Sequence, residues 1–436
     1  MLKAKNKLGL VFFPAFDWAI SPTHPEREER LLYTQDQIFE EGIEDIEGIK
    51  FYNPSLAEQK DIQRVHFCIP SVRARLTESH FISSGGAIRA FKAVMDKEVD
   101  KAFALVRPPG HHAHRVVYGD RGFCVINIEA IMIEKIRQEY GPLKVAIIDT
   151  DCHHGDGTQD IYWNDKETLF ISFHQDGKTL YPGTGSIDEF GGPAAYGYNI
   201  NIPLPPETGD EGFLYVLENV VLPILDEFKP DIIINSAGQD NHYSDPLTNM
   251  NFSAQGYAEL NHRLNPDIAV LEGGYSIEGA LPYINLGIIL AMAGLDYSNV
   301  KEPDFDRSKL VQSQKITDHI KKLSEIVYEN WKNKEVLKKE KFKNLKAVER
   351  NRRIYYDTDG IMENQTQKYK ICKKCSGVNT IHSNSDRGDN ILAITIPRDS
   401  CIECIKEGHE LFKVSSKKTF TQIILQDRIN DQYYSK

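Results

Sequence analysis

Residues from about 100 to 300 alternate short apolar runs with amphipathic stretches, and this alternation restricts the fold more than any other feature. The apolar runs lack the polar alternation of half-exposed strands, so we expect strands buried on both faces, as in a parallel sheet covered by helices. The runs are AFALVR (102–107), KVAIIDT (144–150), TLFISF (168–173), DIIINS (231–236) and DIAVLEG (267–273). Helical patterns lie between several of them, over 128–140 and 210–228. Strand–helix alternation at this spacing predicts an α/β fold.

A polar segment follows each of these candidate strands. In chain order the segments are RPPGHHAH, DTDCHHGDG, SFHQ, SAGQD and EGGY. In an open parallel sheet, ligands bind in the crevice beyond the carboxyl ends of the strands. We therefore expect these loops to converge on one site.

The overall composition is that of a globular protein, with 41% hydrophobic and 26% charged residues. A net charge of -11 gives no global attraction to nucleic acid or to an anionic membrane. No run approaches the roughly 18 apolar residues of a membrane span. The apolar stretch near the N-terminus is short and broken by Pro14, so LGLVFF is interpreted as a first strand and not as a signal peptide. Seven cysteines cannot all pair, and we expect a reducing, cytoplasmic setting.

The segment after the second strand carries candidate metal ligands. Alternate residues at the end of an extended strand face the same way, so Asp151 and His153 can present an oxygen and a nitrogen to one ion. Asp149 lies on the same side one step deeper, and the fourth strand delivers Asp240 from a different loop. Two carboxylates and one imidazole leave a coordination position for water, the pattern of a catalytic zinc. The alternative is that these side chains cap helices or bind loop backbone.

The consecutive histidines His111 and His112 lie on the loop after the first strand. Hydrolysis by metal-activated water needs a base for the proton of water and an acid for the leaving amine, and His112 is the candidate for both. Asp149 and Asp156 are available as carboxylates that would orient the two rings. The alternative is a pair of exposed loop residues.

Tyr275 follows Gly273 and Gly274 at the end of the fifth strand. Two glycines permit unusual backbone angles and a close approach of substrate. The phenol can donate a hydrogen bond to a carbonyl oxygen as negative charge builds on it. Most Gly-Gly-Tyr sequences are only turns, so this motif gains meaning from the others.

Taken in order, the motifs resemble the zinc-dependent histone deacetylase family, which includes bacterial and archaeal deacetylase-like enzymes and the acetylpolyamine amidohydrolases. They are RPPGHHAH, GFCVINIEAI, DTDCHHGDGTQDIYW, SFHQDGKTLYPGTG, SAGQDNHYSDPL and LEGGY. The resemblance runs from about residue 24 to 300 and implies an arginase-like three-layer α/β/α fold with a central parallel sheet. It implies a catalytic zinc on Asp151, His153 and Asp240, His112 as base and acid, and Tyr275 as stabiliser of the oxyanion.

The resemblance also implies further site residues. The walls of a narrow acyl-lysine tunnel would be Phe123 and Tyr181, with the carbonyl of Gly122 near the substrate amide. Arg30 resembles the arginine beside an internal cavity below the zinc, and Leu247 is the residue usual in lysine deacylases. A buried potassium ion is expected on a set of side-chain and backbone oxygens, namely Asp149, Asp151, His153, Ser172 and Phe173.

The function implied is hydrolysis of N-acyl amides, with acyl-lysine side chains of proteins or peptides as the expected substrate. An acetylpolyamine or a small acylated metabolite is the alternative within the family. Two other classes stay open: a binuclear manganese hydrolase on the same fold, and an inactive acyl-lysine-binding scaffold. The manganese hydrolase would need an Asp-x-Asp pair where the chain has SAGQD, and it would leave Tyr275 unexplained. The inactive scaffold would not explain why metal ligands, a base and Tyr275 are all present.

The chain divides into a catalytic domain over 1–300, a basic helical extension over 301–355 and a C-terminal module over 356–436. Helix is expected through 307–353, where basic residues outnumber acids, a composition usual for a solvated face. The module contains two CxxC pairs, a spacing that predicts a structural Cys₄ zinc site of the ribbon type, with 391–397 as a strand. Its four cysteines are Cys372, Cys375, Cys401 and Cys404. A redox pair or unliganded thiols are the alternative, and docking of nucleic acid or protein on this module is a hypothesis.

Overall fold

Eight parallel strands form the central sheet. The structure is a computed structural model that describes residues 2–16, 18–303 and 305–436. In chain order the strands of this sheet are β1 (Lys3–Phe13), β2 (Glu47–Tyr52), β4 (Lys101–Val106), β6 (Val145–Asp149), β7 (Thr168–Gln175), β8 (Asn199–Leu204), β9 (Ile232–Ala237) and β10 (Ile268–Leu271). Their spatial order is β2-β1-β4-β10-β9-β6-β7-β8. A separate parallel pair consists of β3 (Phe67–Cys68) and β5 (Val116–Val117). The predicted parallel α/β sheet and its five central strands are confirmed.

Both faces of this sheet are buried, as the unbroken apolar runs predict. In β6, Ala146 and Ile148 pack into one hydrophobic core, whereas Val145 and Ile147 pack into the other. The first core is covered by α1 (Glu29–Glu40), α7 (Asp210–Val216), α8 (Leu222–Phe228), α9 (Ala254–Leu264) and α10 (Leu281–Met292). The second is covered by α2 (Gln59–Gln63), α3 (Val72–Arg75), α4 (Glu78–Met95), α5 (Ile128–Tyr140) and α6 (Asp156–Tyr162). The domain is therefore a three-layer α/β/α sandwich.

The helices between the strands follow the sequence pattern closely. Helix α5 coincides with the predicted 128–140, and the Asn127 side chain caps it by accepting from the Ala130 backbone N–H at 2.7 Å. The predicted 210–228 is continuous helix, with one π turn at Leu217–Val221 between α7 and α8. Pro223, which has no N–H to donate, lies at the start of α8.

The basic extension is helical over only part of its predicted length. Helix α11 (Gln314–Lys332) packs one apolar face on the catalytic domain, and α12 (Lys334–Lys341) buries no residue, as a solvated basic face would. The prediction of helix through 353 is wrong for 347–353, because β11 (Ala347–Tyr356) occupies these residues. Most of its side chains alternate between exposed and half-buried or buried, and it pairs in register with the next strand over ten residues.

The C-terminal module is built on a second, six-stranded sheet. Its further strands are β12 (Ile361–Lys370), β13 (Asn379–Ser385), β14 (Asn390–Ile396), β15 (Gln422–Asp427) and β16 (Gln432–Ser435). The strands lie in chain order, and only β14 and β15 are parallel. One helix, α13 (Ile402–Val414), connects that parallel pair. The predicted strand at 391–397 is confirmed as β14, and the cysteine loops occupy one corner of a sheet larger than a simple ribbon.

This module packs against the catalytic domain. Phe67 and Tyr118 share a hydrophobic cluster with Ile354 and other side chains of the second sheet. Polar contacts add to it: Arg64 donates to both carboxylate oxygens of Asp431, at 2.7 and 2.9 Å. A bidentate arginine–carboxylate pair fixes orientation as well as distance. The module is thus joined to the catalytic domain by both apolar and directional contacts.

Candidate active site

The polar segments converge because their strands are neighbours. Strands β4, β10, β9, β6 and β7 lie side by side in that order and run parallel, so their carboxyl ends open on one edge. His112 follows β4, Tyr275 follows β10 and Asp240 follows β9. Asp151 and His153 follow β6. The predicted convergence of loops on one site is confirmed.

The three predicted zinc ligands form a compact cluster. One ligand atom from each of Asp151, His153 and Asp240 lies within 4.8 Å of the others. The His153 Nδ1 lies 2.7 Å from Asp240 Oδ2 and 3.3 Å from Asp151 Oδ1. The Cys152 backbone N–H binds the second oxygen of Asp240, and the Gly273 N–H binds that of Asp151. Burial lowers the pKa of His153, but the two carboxylates outweigh it and raise the pKa to about 10, so this cluster favours a cation.

The two histidines differ in charge. The His111 Nδ1 lies 3.2 Å from Asp149, and the His112 Nδ1 lies 2.9 Å from Asp156, which are the partners expected from the sequence. Burial lowers the pKa of His111, but nearby aspartates raise it well above the ordinary value. Burial and the charge of His111 lower the pKa of His112 to about 3. At neutral pH the His112 ring is therefore neutral. Its Nδ1–H donates a hydrogen bond to Asp156, and its Nε2 is unprotonated with a free lone pair.

Tyr275 is buried and held at both its backbone and its ring. Its N–H donates to Asp245 Oδ2 at 2.7 Å, and the Arg30 guanidinium lies 4.7 Å from the ring centroid. Arg30 also donates to the carbonyls of Glu272 and Gly274, at 2.6 and 2.9 Å. Burial raises the pKa of the phenol well above its usual value. The hydroxyl therefore keeps its proton and can act as a donor.

A cavity of about 270 Å³ connects these groups. Phe123 and Tyr181 line it, together with Gly122 and Leu247. The Phe123 backbone has φ of 69°, a left-handed conformation that costs energy in a residue with a side chain and is typical of functional sites. The Phe123 ring lies 5.5 Å from that of Tyr275, edge to face. Phe123 thus lies beside the predicted oxyanion donor, whereas the Tyr181 ring lies beside that of His112, with centroids 5.2 Å apart.

The glycines before Tyr275 are needed for close packing. A Cβ at Gly273 would lie 2.6 Å from carboxylate oxygens of both Asp151 and Asp240. Gly274 has φ of 123°, a conformation that side chains rarely permit. The turn can therefore approach the metal-ligand cluster only as glycine.

The remaining residues predicted to bind potassium, Asp149, Ser172 and Phe173, lie in the neighbouring strands β6 and β7. The register of β6 and β7 pairs Asp149 with Ser172, and Ser172 Oγ lies 2.9 Å from His174 Nδ1. Phe173 is fully buried in the adjoining core. The Asp151 N–H donates to Asp149 at 3.1 Å, so the strand end is tightly turned. Potassium binding there stays a prediction.

The four C-terminal cysteines lie together, far along the chain from this site. One sulfur from each lies within 4.8 Å of the others, and Cys372 Sγ lies 3.9 Å from Cys401 Sγ. All seven cysteines are unpaired. Two CxxC loops with convergent sulfurs fit a tetrahedral metal site without an open position.

The structure adds two residues that the sequence did not reveal. Arg121 directs both terminal nitrogens to the two oxygens of Asp156, each at 2.8 Å, and so helps to hold the partner of His112. Asp357 lines the same cavity, although it belongs to the C-terminal module. No local pattern marks either one, since each acts across a long separation in sequence.

Comparison with known proteins agrees with this arrangement. The family model of the histone deacetylase domain matches residues 69–284. A probable deacetylase of Archaeoglobus fulgidus is 47% identical over 311 residues, which are 65% of this chain and 85% of that protein. The acetoin utilization protein AcuC of Bacillus subtilis is 30% identical over 332 residues, 68% of this chain and 84% of that protein. The crystal structure of the HDA15 HD domain has a TM-score of 0.64 at 26% identity, covering 76% of this chain and 98% of that one.

The three-layer α/β/α sandwich, with its loops converging at one edge of the sheet, has an arginase-like fold. Within that class, the chain belongs to the histone deacetylase family, in its bacterial and archaeal branch. The resemblance seen in the motifs is confirmed. Among the residues that the structure describes, no helix is both long and apolar enough to cross a membrane.

Proposed function

We propose that this chain hydrolyses N-acyl amides, with acetyl-lysine side chains as the principal substrate and with a zinc ion on Asp151, His153 and Asp240. One observation carries the proposal. A cation-selecting Asp–His–Asp cluster, a neutral His112 and a protonated Tyr275 all line one cavity. The relative from Archaeoglobus fulgidus, which is named as a probable deacetylase, supports the same reaction.

The donor set fits a single divalent ion. Two carboxylates and one imidazole are hard and borderline ligands that zinc accepts while keeping room for water. A zinc ion bound there supplies Lewis acidity, which polarises the acyl carbonyl and lowers the pKa of water towards about 7. A binuclear manganese site is disfavoured, since a Cβ at Gly238 would lie 2.1 Å from Asp151 Oδ2. That position, two residues before Asp240, leaves no space for a further carboxylate.

The protein's own residues then move protons and hold charge. The unprotonated Nε2 of His112 takes a proton from water as it attacks the acyl carbon, while Asp156 stabilises the imidazolium that forms. The Tyr275 hydroxyl donates to the developing oxyanion. His112 then gives its proton to the departing amine, and acetate or another short carboxylate is released.

A lysine chain suits the cavity, because Phe123 and Tyr181 provide apolar walls for four methylenes and Leu247 adds no charge. An acylated polyamine or small metabolite is the second candidate and would use the same catalytic groups. An inactive scaffold is disfavoured by the intact set of ligands, base and phenol.

Three further assignments belong to this proposal. The cysteine cluster would hold a structural zinc, which suits its convergent sulfurs. A potassium ion would lie against Asp149, Asp151, His153, Ser172 and Phe173. A cytoplasmic location fits the seven unpaired cysteines.

The test is turnover of an acetyl-lysine peptide by the zinc-loaded protein and its Tyr275→Phe variant. Loss of one oxyanion donor should lower kcat on the order of 100-fold or more. Tyr33→Phe, on an exposed position of α1, is the matched control and should keep the full rate. Wild-type turnover by Tyr275→Phe would refute the assignment.

A further inference from the structure

The C-terminal module contributes to the wall of the active-site cavity. Its first hairpin, β11–β12, turns at residues 357–360, and Asp357 at this turn lines the cavity that contains Tyr275 and Asp240. Asp357 is exposed, so its carboxylate is open to solvent at the cavity. Asp357 lies more than 170 positions further along the sequence than Tyr181, which lines the same cavity.

The position of Asp357 is built by specific contacts. Its Oδ1 accepts from the Gly122 N–H at 3.0 Å and from the Tyr181 hydroxyl at 3.3 Å, and both donors belong to the cavity wall. The same turn is anchored by Asp359, which accepts from the Asp120 N–H at 2.6 Å. Two carboxylates of one turn thus bind backbone donors of the loop that precedes Phe123.

The anchoring contact is sterically close. A Cβ at Gly119 would lie 2.1 Å from Asp359 Oδ2, so the turn packs directly on the glycine backbone. This packing, together with the Asp359 hydrogen bond, fixes the turn over the loop at 119–123. Asp357 is therefore held in place rather than carried on a free loop.

Among the residues that the structure describes, no cationic side chain forms a direct ion pair with Asp357. Its two hydrogen-bond donors are neutral groups, and Arg121 interacts with it electrostatically but directs both terminal nitrogens to Asp156. Burial, and then the charges of Asp357 and Asp359, raise the pKa of the neighbouring Asp120 to about 7. A carboxyl group made harder to ionise by its neighbours indicates a negative potential on this side of the cavity.

We propose that Asp357 is a specificity-determining residue that binds a protonated amine or guanidinium on the amine side of the scissile amide. The inference rests on the proposed amide hydrolysis and adds the charge of the preferred substrate. An acyl amide is neutral, so the positive group must be carried by another part of the substrate. Two sources supply it: the distal ammonium of an acylated diamine or polyamine, and a basic side chain beside an acyl-lysine in a peptide.

The experiment compares substrates that differ only in this charge, using the full-length zinc-loaded protein. One arm uses N-(5-aminopentyl)acetamide and its neutral isostere N-hexylacetamide. The other uses an acetyl-lysine peptide with a neighbouring arginine and the same peptide with citrulline. Asp357→Asn keeps an oxygen for Gly122 and Tyr181 while it removes the charge. Glu410→Gln, an exposed position on α13, is the control for charge removal on the same module.

Wild-type protein should prefer the charged member of at least one pair about fivefold in kcat/KM, a magnitude suited to an exposed ion pair. Asp357→Asn should abolish that preference, mainly by raising KM for the charged member of the pair. The preference should also fall as the salt concentration rises, because salt screens the attraction between a substrate cation and an exposed carboxylate such as that of Asp357. The arm that shows the preference identifies the source of the positive group.

Two results would overturn the inference while the proposed function stands. One is turnover of both members of each pair at equal efficiency by the wild type. The other is a preference that Asp357→Asn retains. If the wild type hydrolysed none of the four substrates, the two acetamides and the two peptides, the proposed function itself would be refuted, and the inference with it.

Discussion

Substitution of Asp156 by asparagine should lower both the free energy of unfolding and kcat, for two different reasons. The fully buried Asp156 carboxylate accepts from His112 Nδ1 at 2.9 Å and faces two nitrogens of Arg121, each at 2.8 Å. Asparagine keeps the shape and removes the charge. The Arg121 guanidinium, itself buried, then lacks its counter-ion, and breaking such a pair costs about 3–5 kcal/mol of the free energy of unfolding.

Catalysis should suffer for a different reason. An asparagine amide nitrogen facing His112 would reverse the ring tautomer and place the proton on Nε2, where the lone pair is needed. Losing an orienting partner costs about 10–100-fold, and a wrong tautomer about 10⁴-fold, so we expect kcat to fall on the order of 10³-fold.

The assay pairs peptide deacetylation with urea unfolding. The double variant Asp156→Asn/Arg121→Gln removes both charges and should recover part of the lost stability without recovering activity. Unchanged kcat in Asp156→Asn would refute the role of this carboxylate in orienting His112. Equal instability of the single and double variants would refute the role of the unpaired Arg121.

Two further perturbations test the fold and the second metal site. Burial lowers the pKa of His66 to about 3, and its ring accepts a hydrogen bond from the Asn127 N–H through Nε2. His66 therefore stays neutral in the folded protein below pH 6.5, whereas in the unfolded chain it binds a proton. Stability should therefore fall by about 1.6 kcal/mol between pH 6.5 and 5 from this residue alone, and urea unfolding of His66→Gln should show a correspondingly smaller loss. An identical pH dependence in both proteins would contradict this. Cys404→Ser should lower the zinc content from two ions to one per chain by elemental analysis, with the exposed Lys373→Ser on the same loop as control. Two ions in Cys404→Ser would exclude the Cys₄ site.

The sequence predicted the central part of the fold because burial on both faces leaves an unbroken apolar run. β6 and β7 have this pattern, and the structure has strands there. The edge strands β2 and β8 were not predicted. β2 has an exposed face, and its sequence EGIKFY carries charges that hide the strand.

Apart from β14, the strands of the second sheet were not predicted, for a related reason. β12 has the sequence IMENQTQKYK, in which polar glutamine and glutamate side chains are buried at alternate positions. These side chains bind one another, as in the hydrogen bonds from Gln367 to Gln365 and from Gln365 to Glu363. A buried polar network satisfies its own donors and acceptors, so hydrophobic periodicity does not reveal it.

The candidate site was largely predictable, since its residues follow predicted strands that end at one edge. Asp151, His153 and Asp240 needed only that topology. Asp357 was not predictable, because its approach to the cavity depends on how the second sheet docks. Docking is fixed by contacts such as Arg64 to Asp431, which leave no periodic pattern.

Acetate release by apoprotein reconstituted with zinc is the most direct test of the central claim that this chain is a zinc-dependent deacylase. With an acetyl-lysine peptide and an acetylated diamine as substrates, we expect zinc to restore turnover in the wild type. Asp240→Asn, which removes one carboxylate charge from the ligand cluster, should release no acetate under the same conditions. Acetate release by Asp240→Asn at the wild-type rate, or none from either substrate by the zinc-loaded wild type, would contradict that claim.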